Sequence, residues 1–101
     1  MIKRHIEQKL LKFIKQYPVV MLTGPRQSGK TTLCKMTLPD KPYVSLESPE
    51  HREYALSDPK GFLAEYPQGV VIDEAQHAPK LFSYIQGIVD EKKKKGMFVL
   101  T

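Results

Sequence analysis

Val19-Val20-Met21-Leu22-Thr23-Gly24-Pro25-Arg26-Gln27-Ser28-Gly29-Lys30-Thr31 is the stretch whose reading decides the fold. Its first five residues are a short, continuous apolar run, the pattern of a strand buried on both faces of a parallel sheet. The remaining eight match G-x-x-x-x-G-K-[ST] at every fixed position. From Lys30 to about Leu38 the spacing predicts a helix, stopped by Pro39. Strand, glycine-bearing loop and helix therefore follow one another without a gap. Gly24 and Gly29 permit the turns that bring backbone N–H groups inward. Those amides, with the positive end of the helix behind them, form a cradle for a β-phosphate. Lys30 is spaced to reach the β and γ phosphates, Thr31 to offer a hydroxyl to Mg²⁺, and Thr32 to touch an α-phosphate. Pro25, Arg26, Gln27 and Ser28 fill the loop and are counted with it as nucleotide-binding. A ligand-free strand–helix turn is the plainer reading, but it does not call for Lys-Thr at these positions.

Downstream, Gly69-Val70-Val71-Ile72-Asp73 reads as another apolar strand, and it ends in two acids, Asp73 and Glu74. After a phosphate loop, such a pair completes a Walker A and Walker B set. Asp73 is placed to hold the Mg²⁺ shell through water, and Glu74 to polarise an attacking water. Taken alone, the pair would be no more than surface acids at a strand end. Gln76 and His77 read first as an exposed loop before Pro79, and second as groups that orient water or couple the site to a partner.

Working outward, residues 2–16 read as an amphipathic helix with Ile2, Ile6, Leu10, Phe13 and Ile14 on one face, stopped by Pro18. Residues 43–46 and 97–101 read as further strands. Pro49 and Pro59 each open a short helix, and 79–94 reads as a long one with Leu81, Ile85, Ile88 and Val89 inward. The alternation α-β-α-β-α-β-α-β predicts an α/β sandwich around a parallel sheet. There is no internal repeat and no linker, and 101 residues suffice for one small domain. The last apolar run closes the chain without a covering helix, so the expectation is part of a longer domain.

Composition narrows the class. Hydrophobic residues at 41% and charged residues at 27% suit a folded, soluble chain. The lone Cys34 excludes an internal disulfide, and no apolar run approaches the ~20 residues of a membrane span. No secretory signal is read at the start, so the expected location is cytoplasmic, with no membrane partner. No Cys/His spacing suggests zinc, and His5 and His51 stand apart. The net charge of +5 suits polyanions. Residues 92–95 are four consecutive lysines at a helix end, where the macrodipole favours them. A solvated helix end is the plain reading, a nucleic-acid contact the other, and Arg4 is weighed in the same way.

The loop and its continuation, Gly24-Pro25-Arg26-Gln27-Ser28-Gly29-Lys30-Thr31-Thr32-Leu33, resemble the AAA+ superfamily. So do Tyr43-Val44-Ser45-Leu46-Glu47, Asp58-Pro59-Lys60-Gly61-Phe62-Leu63, Val71-Ile72-Asp73-Glu74-Ala75-Gln76 and Phe98-Val99-Leu100-Thr101. In particular the chain is similar to prokaryotic ATP-binding proteins that pair an N-terminal AAA domain with a C-terminal domain of unknown function. The resemblance implies a P-loop NTPase three-layer sandwich, with a partial parallel sheet in the order 1-4-3-2. It implies ATP and Mg²⁺ as cofactors, Lys30 and Glu74 as catalytic groups, and Thr31 and Asp73 at the metal. A homo-oligomer or a C-terminal domain are the partners it implies. It also implies a sensor residue, a fifth strand and an arginine finger beyond the last strand. Residues 1–101 are thus expected to form a partial ATPase domain that binds ATP and hydrolyses it only within a longer chain. Two alternatives stand beside this one: a nucleotide or small-molecule kinase, which would set strands one and three side by side, and a basic fragment that docks on nucleic acid or protein.

Overall fold

The computed structural model describes residues 2–22 and 30–101, and for 2–6, 30 and 31 the backbone alone. The elements are α1 (Ile2–Gln16), β1 (Val19–Met21), α2 (Lys30–Thr37), β2 (Tyr43–Ser45), α3 (Pro49–Ser57), α4 (Pro59–Ala64), β3 (Val70–Asp73), a 3₁₀ turn (Ala75–His77), α5 (Leu81–Lys92) and β4 (Phe98–Leu100). All four apolar runs are strands, all pairings are parallel, and the sheet order is β1-β4-β3-β2. The last strand in sequence therefore lies between β1 and β3. Val71 pairs with Val99 and Tyr43, not with β1. The adjacency that the kinase alternative requires is absent among the described strands.

Strand alternation divides the interior into two layers. Val70, Ile72, Phe98 and Leu100 face α3, α4 and α5, where Phe62, Leu63, Leu81, Ile85 and Val89 complete the larger core. Val20, Val71 and Val99 face the opposite way and pack with Leu10 of α1 and Cys34 of α2. The result is a three-layer α/β/α sandwich of the P-loop NTPase type. Each large core side chain is worth roughly 1.5–3 kcal/mol of burial, so the sheet is held from both faces.

Local signals hold with small shifts. Pro49 and Pro59 do open helices, and Asp58 between them accepts a 3.0 Å bond from the Gly61 amide, capping α4. The helix expected over 79–94 is shorter, because Pro79 and Lys80 belong to a turn and Lys93 ends it in the left-handed region at φ 52°. In α1, Leu10 is buried, but Phe13 turns outward to meet Tyr17 edge-on at 5.9 Å. Among the described residues, no helix is long and apolar enough to cross a membrane.

Candidate functional site

Parallel strands bring their carboxyl ends to one edge. There β1 runs out at Met21, β3 at Asp73 and β4 at Leu100. Ladder bonds continue past the strands: Leu22 N–H donates to Leu100 O at 2.8 Å, Thr101 N–H to Ile72 O at 3.0 Å, and Ala75 N–H to Thr101 O at 3.1 Å. Backbone hydrogen bonds therefore hold this edge together up to Asp73 and Thr101. α2 starts at the same edge, with Lys30 as its first residue.

Residues 23–29 lie outside the described residues, so the readings of Thr23 as strand and of Gly24, Pro25, Arg26, Gln27, Ser28 and Gly29 as phosphate loop fall there. Lys30 and Thr31 form the first residues of α2, and Thr32 behind them is exposed on it. What is described is the frame: β1 ends at Met21 and α2 begins at Lys30, as the motif requires. Arg4 and His5 lie on the stretch of α1 described by its backbone alone.

Asp73 shares its sheet face with Val71, the face covered by α2. The carboxylate is half-buried, and its Oδ2 accepts a 2.8 Å hydrogen bond from the Tyr43 hydroxyl. Lys35 of α2 holds its ammonium 4.5 Å from the centre of the Tyr43 ring. Glu74 is a buried carboxylate in the left-handed region, φ 57° and ψ 42°, a conformation that few residues other than glycine adopt. Gln76 lies two residues on in the 3₁₀ turn, and its amide donates to Glu74 Oε1 at 2.8 Å. His77 Nε2 stands 3.7 Å from the same oxygen. Gln76 is thus exposed, as an open loop predicts, and also bonded to the acid beside it. Left-handed backbone at a residue other than glycine costs free energy, which the surrounding structure must offset.

Tyr43 is the residue that the sequence reading missed. Its spacing from Asp73 carries no information until β2 is known to pair with β3. Thr101 was read only as the end of a strand, yet it is buried and its hydroxyl has no partner among the described residues. Of the lysine run, Lys92 bonds the Pro67 carbonyl at 3.0 Å and Lys94 bonds the Gln68 side chain. Both tie the helix end to a turn at the opposite edge of the sheet.

Among the described residues there is no group of three or more His, Cys, Asp or Glu side chains that could hold a metal by itself. Mg²⁺ does not need one. It is commonly held by one or two carboxylates together with substrate phosphates and water. A single anchored Asp73, on the face of the helix that follows the loop, fits that donor set.

A family model described as an AAA domain matches residues 16–101. Uncharacterized proteins of Mycobacterium bovis and Mycobacterium tuberculosis are each 32% identical over 99 residues, covering 97% of this chain and 22% of theirs. The chain thus spans 22% of the length of these curated relatives. No solved structure matches.

Proposed function

This chain belongs to the AAA domain family, within the AAA+ P-loop ATPases, and from that premise we propose that it binds Mg-ATP between residues 24–32 and Asp73. The observation that carries the reading is the insertion of β4 between β1 and β3. Two inter-strand spacings, about 10 Å, then separate the strand that enters the phosphate loop from the strand that ends in Asp73. β4 fills that separation within the sheet. A phosphate and a hydrated ion would sit past its end, at the carboxyl edge, where the same spacing sets Asp73 back far enough for a water-mediated contact. Backbone amides of residues 24–29 and the Lys30 ammonium would hold the β and γ phosphates, and the Thr31 hydroxyl and Asp73 would hold the ion's shell. Bound Mg²⁺ supplies neutralisation of charge on the phosphate oxygens.

In this reading Glu74 orients and polarises a water for attack on the γ-phosphate, and Gln76 sets the direction of its carboxylate. An arginine finger, worth ~10³–10⁵ in rate, comes in this reading from a longer chain or a second copy, and residues 1–101 alone turn over slowly. The chain acts as the nucleotide-binding part of a longer, cytoplasmic ATPase, paired with a C-terminal domain or with copies of itself. The much greater length of the mycobacterial relatives supports that arrangement.

Titration calorimetry with Mg-ATP tests the proposal. Lys30→Ala removes a charged phosphate contact worth roughly 1.5–3 kcal/mol, so affinity falls by about one to two orders of magnitude. Equal affinity in variant and wild type would refute the assignment.

A further inference from the structure

We propose that Tyr43 is a positioning residue for the metal shell: its hydroxyl fixes the Asp73 carboxylate, and Lys35 backs its ring. The inference rests on the reading of Asp73 given above and assigns a role to a strand which that reading leaves unused.

The geometry follows from register. β2 pairs with β3 so that Tyr43 lies opposite Val71 and Ser45 opposite Asp73. Tyr43 and Asp73 therefore sit on one face, offset by two residues along the strands, and a long aromatic side chain spans that diagonal. The contact is part-buried at 2.8 Å. On the other side, the Lys35 ammonium over the ring links Tyr43 to α2, the helix that begins with Lys30-Thr31. One side chain thus joins the helix behind the phosphate loop to the acid facing it.

The chemistry gives that link a purpose. An ionised carboxylate offers about four acceptor positions, so one bond from a phenol fixes its rotamer and leaves capacity for a hydrated ion. A donor bonded to a charged acceptor is roughly twice as strong as a neutral pair. A cation over the ring draws electron density from it and strengthens the O–H as a donor. Without the hydroxyl, the half-buried carboxylate loses one of the contacts that hold its rotamer, and an ion must restore that order on binding. Partners of this outer kind cost about 10–100-fold in metal affinity when removed. Core packing belongs to the ring, which packs against the cluster that contains Cys34 and Val71. Phenylalanine keeps the ring and loses only the hydroxyl.

The experiment compares wild type, Tyr43→Phe and Asp73→Asn by calorimetry with ATP, once in Mg²⁺ and once in EDTA. Tyr43→Phe should lose at least 10-fold of the affinity gained from Mg²⁺ while ATP binding in EDTA stays unchanged, and Asp73→Asn should lose more. If Asp73→Asn loses the Mg²⁺ gain but Tyr43→Phe keeps it, the role of Tyr43 is overturned and that of Asp73 stands. Equal loss by Tyr43→Phe in Mg²⁺ and EDTA overturns it too, as the mark of a merely structural hydroxyl. If Asp73→Asn itself keeps the full gain, the reading of Asp73 fails and the role of Tyr43 falls with it.

Discussion

Just past the end of β3 a glutamate occupies the left-handed region, and just before β3 and β4 begin glycines do. Glu74 has φ 57°, whereas Gly69 and Gly96 have φ 97° and 68°. At the strand starts of the amino edge the residue type matches the backbone, although Lys93 at the end of α5 is left-handed too. A Cβ on Gly69 would overlap the Met97 carbonyl, and one on Gly96 would press on Ile14. Glycine there lets adjacent strands close up. At the carboxyl edge the residue type opposes the backbone, and the side chain is held by Gln76 instead. One edge is arranged for closure of the fold, and the other keeps an acid in a position that costs free energy.

The largest effect that tests this contrast is at Gly69. Gly69→Ala meets a sparsely populated backbone region, worth about 1–3 kcal/mol, and the overlap with Met97 adds to it. Urea denaturation should show a loss above that range, with the loss in stability and not in the steepness of the transition. A variant as stable as wild type would mean the strand start can shift freely, and the amino edge would not be the rigid one.

Glu74→Gly is the mirror substitution and the middle effect. A left-handed L-residue costs roughly 1–2 kcal/mol, which glycine relieves. Against this stand the lost Gln76 bond, about 1 kcal/mol, and the greater freedom of glycine when unfolded, ~0.5–1 kcal/mol. The sum leaves stability within ~1 kcal/mol of wild type by the same denaturation, although the acid is gone. A loss as large as that of Gly69→Ala would show that Glu74 serves the fold, and the two edges would then not differ in kind.

The same contrast explains what could be read from sequence. Buried strands announce themselves as apolar runs, so Val19–Met21, Tyr43–Ser45, Val70–Asp73 and Phe98–Leu100 were all legible. Their order was not a property of any run; it came from the resemblance, and the pairings bear it out. Helix ends were less clear. The turn at Ala75–His77 and the late start of α5 depend on Glu74 turning left-handed, which no propensity favours. Phe13 looked inward by spacing, but Leu10 and Ile14 already fill that side of α1, and it found Tyr17 instead. At the site, Asp73 and Glu74 were legible as an acid pair closing a strand, and the strand does end there. The Tyr43–Asp73 bond was not, since it joins residues 30 apart through a register that exists only in the folded sheet.

The smallest effect concerns Lys41, at the amino edge just before β2. Burial lowers its pKa, and the nearby Lys94 ammonium lowers it further. Its ammonium reaches the Gln68 carbonyl at only 3.5 Å, too far to offset the desolvation. The sign follows from which state holds the proton more tightly. The unfolded chain does, so stability rises with pH as the folded group loses its proton, and the penalty is gone above the ordinary value of 10.5. Below the folded pKa both states are charged and the penalty is fully present. Lys41→Met removes the charge and keeps the aliphatic stem. It should be more stable than wild type at pH 7, by less than ~1 kcal/mol because the group is partly solvated. The difference should narrow towards pH 10.5, as measured by denaturation at both ends of that range. A variant less stable than wild type at pH 7, by a margin constant with pH, would mean that the Lys41 contact with the Gln68 turn stabilises the fold. The amino edge would then depend on its lysines as well as on its glycines.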